Sequence, residues 1–356
     1  MNGYRIAVIP GDGIGAEVTP IGLAVIRRVG EITGSFGIEA TDLHWSCAFY
    51  LRTGAMMPPD ALTVLADHDA ILLGAVGSPA VPDHVSVWGL VLPIRQAFDQ
   101  YVNLRPIQLF EGVPSRLSGR GPADIDMVCV RENTQGEYAG IGGRVRLGDD
   151  DEVATETSVF TRKGVERVAR YAFELARTRR GQLASATKSN ALRHTAVLWD
   201  EVVAKVGEEY LDVRLTRYLI DALAARFITH PQTLDVVVAS NLFGDILTDI
   251  GAAIQGSIGM GASANLDPTR RHPSMFEPVH GSAPDIAGQG IANPIGTIWA
   301  SAMMLSHLGE TESAALVMSS LQRVLREGPR TPDLGGTSTT SNVGAAVVAA
   351  LGQPLD

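Results

Sequence analysis

Asp245 and Asp249 stand four residues apart in the stretch VVVASNLFGDILTDIG, residues 236–251. On a helix that spacing projects both carboxylates from one face, one turn apart, where like charges repel by about a few tenths of a kcal/mol. A hard divalent cation such as Mg²⁺ or Mn²⁺, held by carboxylates plus substrate oxygens, would relieve that repulsion. A solvated acidic helix face is the other reading, and spacing alone leaves both open. Arg95, Arg105 and Arg131 each fall at the end of an expected element. Singly they read as surface residues; together they could clamp a dicarboxylate bidentately. Tyr138, in RENTQGEYAG, is either a half-buried structural tyrosine or a proton donor near that clamp. Lys188 ends a short strand over 184–187 and becomes a general base if burial or a nearby cation lowers its pKa. Asp221 falls among Leu219, Ile220, Leu223 and Ala224 in an expected helix over 215–227. A carboxylate on an apolar stripe is costly unless paired or metal-bound, so Asp221 is a candidate ligand.

The elements that would position these groups alternate between buried strands and amphipathic helices. Val236, Val237 and Val238 form the unbroken apolar run of a parallel strand covered on both faces, and the helical pattern of Phe243, Ile246, Leu247 and Ile250 follows. Similar runs occur at Arg5–Pro10, Ala70–Val76 and Met127–Val130, and a helical pattern spans 163–179. The polar stretch 142–156 reads as an exposed arm or hairpin. After RIAVIP, Gly11, Gly13 and Ala16 match the dinucleotide fingerprint, with Glu31 near the position of a ribose-binding acid. Pro10 and Asp12 argue for the alternative, a tight strand-to-helix turn, because Asp12 puts negative charge where a pyrophosphate would sit. The later stretch FEPVHGSAPDIAG has small residues after His280 that allow close backbone approach to a ligand, and Asp285 is placed to accept from a ribose hydroxyl. The class is α/β.

Composition narrows the partners. The 356 residues suffice for two domains, and a net charge of −10 argues against nucleic acid as a main partner. Cys47 and Cys129 are far apart and Cys129 lies in an apolar run, so no disulfide framework is expected. With no signal-peptide pattern, and no apolar run near the about 20 residues of a membrane span, a cytoplasmic location is expected and a membrane is not.

GDGIG, LRP, VREN with EYAG, TKSN, SNLFGDILTD, FEPVHGSAPDIAG with ANP, and TPDLGG occur in this order along the chain. Together they resemble the family of metal-dependent, decarboxylating 2-hydroxyacid dehydrogenases that includes isopropylmalate, isocitrate and tartrate/D-malate dehydrogenases. The resemblance implies a two-domain isopropylmalate-dehydrogenase-like fold, a parallel or mixed central sheet flanked by helices, not a Rossmann fold. Residues 1–100 plus 252–356 would form a cofactor-binding domain and 101–251 a substrate and dimerisation domain. It also implies a homodimer whose active sites are shared between subunits, and it removes the Gly11–Ala16 fingerprint as the cofactor site.

By motif, Asp245 and Asp249 would hold Mg²⁺ or Mn²⁺ with Asp221 of a second subunit. Arg95, Arg105 and Arg131 would grip substrate carboxylates, while Tyr138 and Lys188 would move protons, Lys188 from the other subunit. Glu277, His280, Gly281, Ser282, Ala283, Asp285 and Asn293 would bind the cofactor. An acid at Asp285 favours NAD over NADP, since it would repel a 2′-phosphate. The resemblance also allows a K⁺ ion. Trp88 stands in SVWGLVLPIR where isopropylmalate enzymes tend to place an acid. The wording there is most similar to the tartrate/D-malate branch, with Trp88 limiting the pocket to a small C4 acid. One departure is that ALRHTAVLWDE after TKSN carries less proline and aromatic character than that branch leads one to expect. The expected reaction is NAD- and metal-dependent oxidative decarboxylation of D-malate to pyruvate and CO₂, with tartrate oxidation beside it. The alternatives are a 3-isopropylmalate dehydrogenase, a non-catalytic regulatory subunit of a related dehydrogenase, and a metal-free Rossmann dehydrogenase using Gly11–Ala16.

Overall fold

The computed structural model describes residues 2–353. Its strands, in chain order, are β1 (Asn2–Gly11), β2 (Phe36–Asp42), β3 (Ala70–Ala75), β4 (Val102–Gln108), β5 (Asp126–Glu132), β6 (Gly136–Val145), β7 (Val153–Val159), β8 (Gln182–Thr187), β9 (Arg214–Leu219), β10 (Val236–Ala239), β11 (Ala262–Leu266) and β12 (Ser274–Pro278). The chain divides into two compact units. The first is Met1–Gln100, Pro106–Ile125 and Ala252–Asp356; the second is Tyr101–Arg105 and Asp126–Gly251. Residues 106–125, drawn from sequence into the second domain, therefore cluster with the first unit.

In the first unit the strands run β2-β1-β3-β12-β11. β1 is parallel to β2 and β3, β12 is parallel to β3, and β11 is antiparallel to β12. One antiparallel strand makes the sheet mixed. β3 is buried along its whole length, which explains why AILLGA shows no polar alternation. Helix Gly15–Thr33 packs Val18, Leu23, Val25, Ile26 and Val29 inward and stops at Gly34, which takes the left-handed C-cap conformation at φ 63°. Helix Ile295–Leu308 has buried residues on every side, matching its unbroken apolar sequence.

In the second unit β10 is parallel to both β5 and β8, and β8 is parallel to β9. The valines of β10 are 0% exposed. Helix Arg162–Arg177 starts at Thr161, whose side chain accepts from the Gly164 amide, and it buries Val165, Val168, Ala172, Phe173 and Ala176. β6 and β7 form a separate antiparallel hairpin that covers the polar arm. The helix expected over 215–227 is a correction. Arg214–Leu219 is a strand and the helix is Ile220–Thr229. RLTRYL carries Thr and Tyr, which suit a strand, and it pairs in parallel with β8 from Arg214 to Leu219.

The turn after β1 is a packed structural turn. A Cβ on Gly11 (φ 72°) would lie 1.9 Å from the Ala75 carbonyl oxygen, and one on Gly13 2.0 Å from that of Ser282. These glycines thus admit neighbouring backbone. The Asp12 carboxylate accepts from the amides of Cys47 at 3.0 Å and Gly77 at 3.1 Å. Asp12→Ala should accordingly lower stability by about 1–3 kcal/mol, the cost of leaving such amides without an acceptor. Urea unfolding measures it, and an unchanged midpoint would show that Asp12 does not hold the turn.

Candidate active site

The valine run of β10 ends at Ala239, and helix Asn241–Ile254 begins two residues on. Glu137, in β6, accepts from the Leu242 amide at 3.1 Å and from the Ser240 hydroxyl at 3.2 Å. An anion at this helix N-terminus satisfies an orphan donor and complements the helix dipole. The helix face so fixed carries Asp245 and Asp249.

Arg131, at the end of β5, is 2% exposed. Its Nη1 donates to Asp245 Oδ1, while Nε and Nη2 donate to Asn241 Oδ1 at 3.0 and 2.7 Å. Arg105, in β4, donates from Nη1 to Thr248 Oγ1 at 2.6 Å and lies 3.5 Å from Asp245. Tyr138 donates its hydroxyl to Asp245 Oδ2 at 3.3 Å, with the Arg131 guanidinium 5.6 Å from its ring centroid. Three of the expected residues, Arg131, Arg105 and Tyr138, thus meet at a fourth, Asp245, and Asp249 follows one turn along. Sequence reasoning missed Asn241, Thr248 and Glu137. Asn241 and Thr248 lie within the SNLFGDILTD motif and Glu137 precedes Tyr138, so proximity to acids and arginines was the available signal.

The electrostatics suit a bound cation. Burial, then the charge of Asp245, pushes the Asp249 carboxyl above the usual carboxylate range, and Arg105 and Arg131 only partly offset this. Asp249 is therefore short of positive charge, and two carboxylate oxygens of one helix face fit a hard divalent ion. Among the described residues no three acids, histidines or cysteines converge as a metal cage. Asp221 does not complete the set within one chain. It is exposed in the first turn of helix Ile220–Thr229, with its carboxylate 3.0 Å from Lys188 Nζ. That is a correction to the expected apolar stripe, because the residues before Ile220 belong to β9. The Lys188 ammonium holds the Asp221 carboxyl below its usual range. Burial and the Asp245 charge push the Tyr138 phenol above its usual range, so it keeps its proton at neutral pH.

The remaining candidates lie in the first unit. Arg95 and Glu277, expected to serve different ligands, bind each other. Arg95 Nη2 donates to Glu277 Oε1 at 2.8 Å, and Asn265 Nδ2 donates to the same oxygen at 2.8 Å. Arg95 is 7% exposed, so the pair is a largely buried one that orients the guanidinium. His280 donates from Nδ1 to the Gly281 carbonyl at 2.9 Å, and burial holds the ring neutral by pushing its pKa down. Its Nε2 is buried without a partner, a cost that a ligand donor would remove. Ser282 accepts at its carbonyl from Ile14, and Ala283 sits at φ 41°. Glu17 accepts from the Gly288 amide at 2.6 Å and the Gly290 amide at 3.1 Å, which ties the loop to the first helix. Gly281 faces open space and Asp285 is exposed, its carboxylate without a partner among the described residues. Asn293 is committed within the unit: its amide donates to Asp333 at 2.9 Å and accepts from Ile295 at 3.0 Å. Trp88 is 41% exposed in the π turn Val87–Val91. The loop as a whole has the open glycine, unpaired acid and unsatisfied imidazole that a dinucleotide would use.

Gly244 tests how tightly the cluster is set. A Cβ there would lie 2.6 Å from Arg131 Cγ and 2.7 Å from its Cβ. In a free helix Gly→Ala stabilises by about 1 kcal/mol. Here the clash should win, and Gly244→Ala should destabilise by about 1–3 kcal/mol, the usual cost of overpacking. A raised urea midpoint would show that Arg131 can move aside.

The family model described as isocitrate/isopropylmalate dehydrogenase matches residues 5–347. The D-malate dehydrogenase (decarboxylating) of Escherichia coli K12 is 52% identical over 355 residues, covering 98% of each chain. A probable tartrate dehydrogenase/decarboxylase of Agrobacterium vitis is 51% identical over 352 residues, covering 99% of this chain and 98% of that one. The crystal structure of isocitrate dehydrogenase from Methylococcus capsulatus superposes with a TM-score of 0.88 at 34% identity, covering 98% of this chain and 100% of that one. The chain belongs to the isocitrate/isopropylmalate dehydrogenase family, shares its fold, and is an enzyme, a decarboxylating hydroxyacid dehydrogenase.

Proposed function

We propose that the chain oxidises and decarboxylates D-malate to pyruvate and CO₂ with NAD, and acts on tartrate as well, as a cytoplasmic homodimer. The observation that carries this reading is the convergence of Arg131, Arg105 and Tyr138 on Asp245 with Asp249 one turn away. The relatives named for D-malate and tartrate, both about half identical over nearly the whole chain, support the choice of substrate.

Asp245 and Asp249 would hold Mg²⁺ or Mn²⁺, with Asp221 supplied by a second copy. The ion supplies acidification of a bound hydroxyl and polarisation of a carbonyl, and NAD supplies the hydride acceptor. Arg131 and Arg105, fixed by Asn241 and Thr248, orient substrate carboxylates together with Arg95. Such pre-paid ordering is worth several kcal/mol when it aligns the breaking bonds. Lys188, from the second copy, takes the hydroxyl proton. Tyr138, protonated at neutral pH, gives a proton to the carbon that CO₂ leaves. His280 to Asp285 would bind the adenosine half of NAD, with the Asp285 carboxylate on a ribose hydroxyl. Trp88 limits the size of the accepted acid.

The test is NADH formation with Mn²⁺ on D-malate, tartrate, isopropylmalate and isocitrate, each with and without EDTA. Turnover fastest on D-malate or tartrate and abolished by EDTA is expected; preference for isopropylmalate would discard the role of Trp88. Lys188→Ala should lower kcat by at least about 100-fold, the lower range for a lost acid–base group, while NAD affinity stays within about twofold. Undiminished kcat would remove Lys188 from the chemistry.

A further inference from the structure

The register of β1, β3 and β12 places Arg5, Asp69 and Pro273 in one row, each directly before the paired residues Ile6, Ala70 and Ser274. These three strands are parallel, so the row marks the edge where their mutual pairing begins. The loop carrying His280 to Asp285 follows the opposite end, after β12. At the starting edge lies a depression of about 330 Å³ lined by, among others, Arg5, His68, Asp69, Arg270, Arg271 and His307. In a chain of net charge −10, three guanidiniums here face one carboxylate.

The side chains of Arg5 and Arg270 have no hydrogen-bond or ion-pair partner among the described residues, and both are exposed. The one acid lining the depression, Asp69, accepts from the Arg5 backbone amide at 2.6 Å and so is already engaged. The turn bearing the other two arginines is held from beneath by buried Asp267. Its carboxylate accepts from the amides of Thr269, Arg271 and His272 at 2.9, 3.0 and 3.2 Å and from the Thr269 hydroxyl at 2.6 Å. Arg270 itself sits at φ 55°, in the left-handed region, so the turn aims its side chain rather than following an extended path. Burial, then the Arg270 charge, pushes His307 down to about 4 against the opposing charge of Asp267, so the ring adds no charge at neutral pH.

The unpaired guanidiniums of Arg5, on β1, and Arg270, on the pinned turn, beside a depression the size of a small ligand, match the requirements for oxyanion recognition with little ordering cost, while Arg271 Nε is engaged by Thr269 Oγ1 at 3.0 Å. We propose that this edge of the first unit binds a small anion through Arg5 and Arg270, residues that the catalytic cluster does not use. The shared chemistry is a phosphate or carboxylate headgroup.

Isothermal titration at low ionic strength with sodium phosphate, glycerol 2-phosphate and succinate tests it, on the wild-type chain and on Arg5→Gln/Arg270→Asn. Asparagine is chosen at 270 because it tolerates the left-handed conformation. Saturable binding of at least one anion, weakened tenfold or more in the double variant with an unchanged unfolding midpoint, is expected. Which of the three binds identifies the headgroup. No saturable binding of any, or binding unaltered by the double substitution, would overturn the proposal.

Discussion

An arginine with 2% exposure dictates much of the second unit. A guanidinium taken out of water must find partners for its donors, and leaving it unpaired costs several kcal/mol. Arg131 meets that demand through Asp245 and Asn241, both on one helix, and Gly244 between them leaves room for its stem. The helix is in turn seated by Glu137, which accepts from its Leu242 amide. Strand, glycine, amide and acid are therefore parts of one solution to a single burial problem, and the acidic face follows from it. An acid recruited to neutralise an arginine is also an acid held rigidly for other work.

Much of this was legible in the residues. The valine run announced β10 and the four-residue spacing announced the shared face, because buried strands and helix faces leave periodic marks. The order of motifs identified the fold. What stayed hidden was the pairing between distant residues. Arg95 and Glu277 are far apart in sequence and read as contacts for different ligands, yet they meet as neighbours in the first unit. Nothing local encodes such a meeting. The misread stretch 215–227 failed for another reason. RLTRYL borders a true helix, and an apolar pattern this short fits either period until a neighbouring strand selects one.

Lys188 and Asp221 show how a single chain accommodates groups for which shared work is proposed. Each is exposed enough to be solvated, yet they lie 3.0 Å apart and balance one another. An exposed pair of this kind contributes little stability. It is therefore easily rearranged when other charges arrive, in contrast to the buried Arg95–Glu277 pair, whose separation would strand a charge. The two pairs divide the polar machinery into a fixed part and an adjustable part.

The division of the chain also sets an order of assembly. β3 and β12 pair through Ala70 and Ser274, with the whole second unit between them in sequence. The second unit is almost continuous, from Asp126 to Gly251, so its strands can pair as soon as they leave the ribosome. The first unit cannot complete its sheet until β11 and β12 have been made, and it pays the loop-closure entropy of the intervening segment. If the inserted unit has already become compact, the ends it joins are brought closer together. Its early folding would thus act as an internal template for the closing of the sheet that surrounds it in sequence.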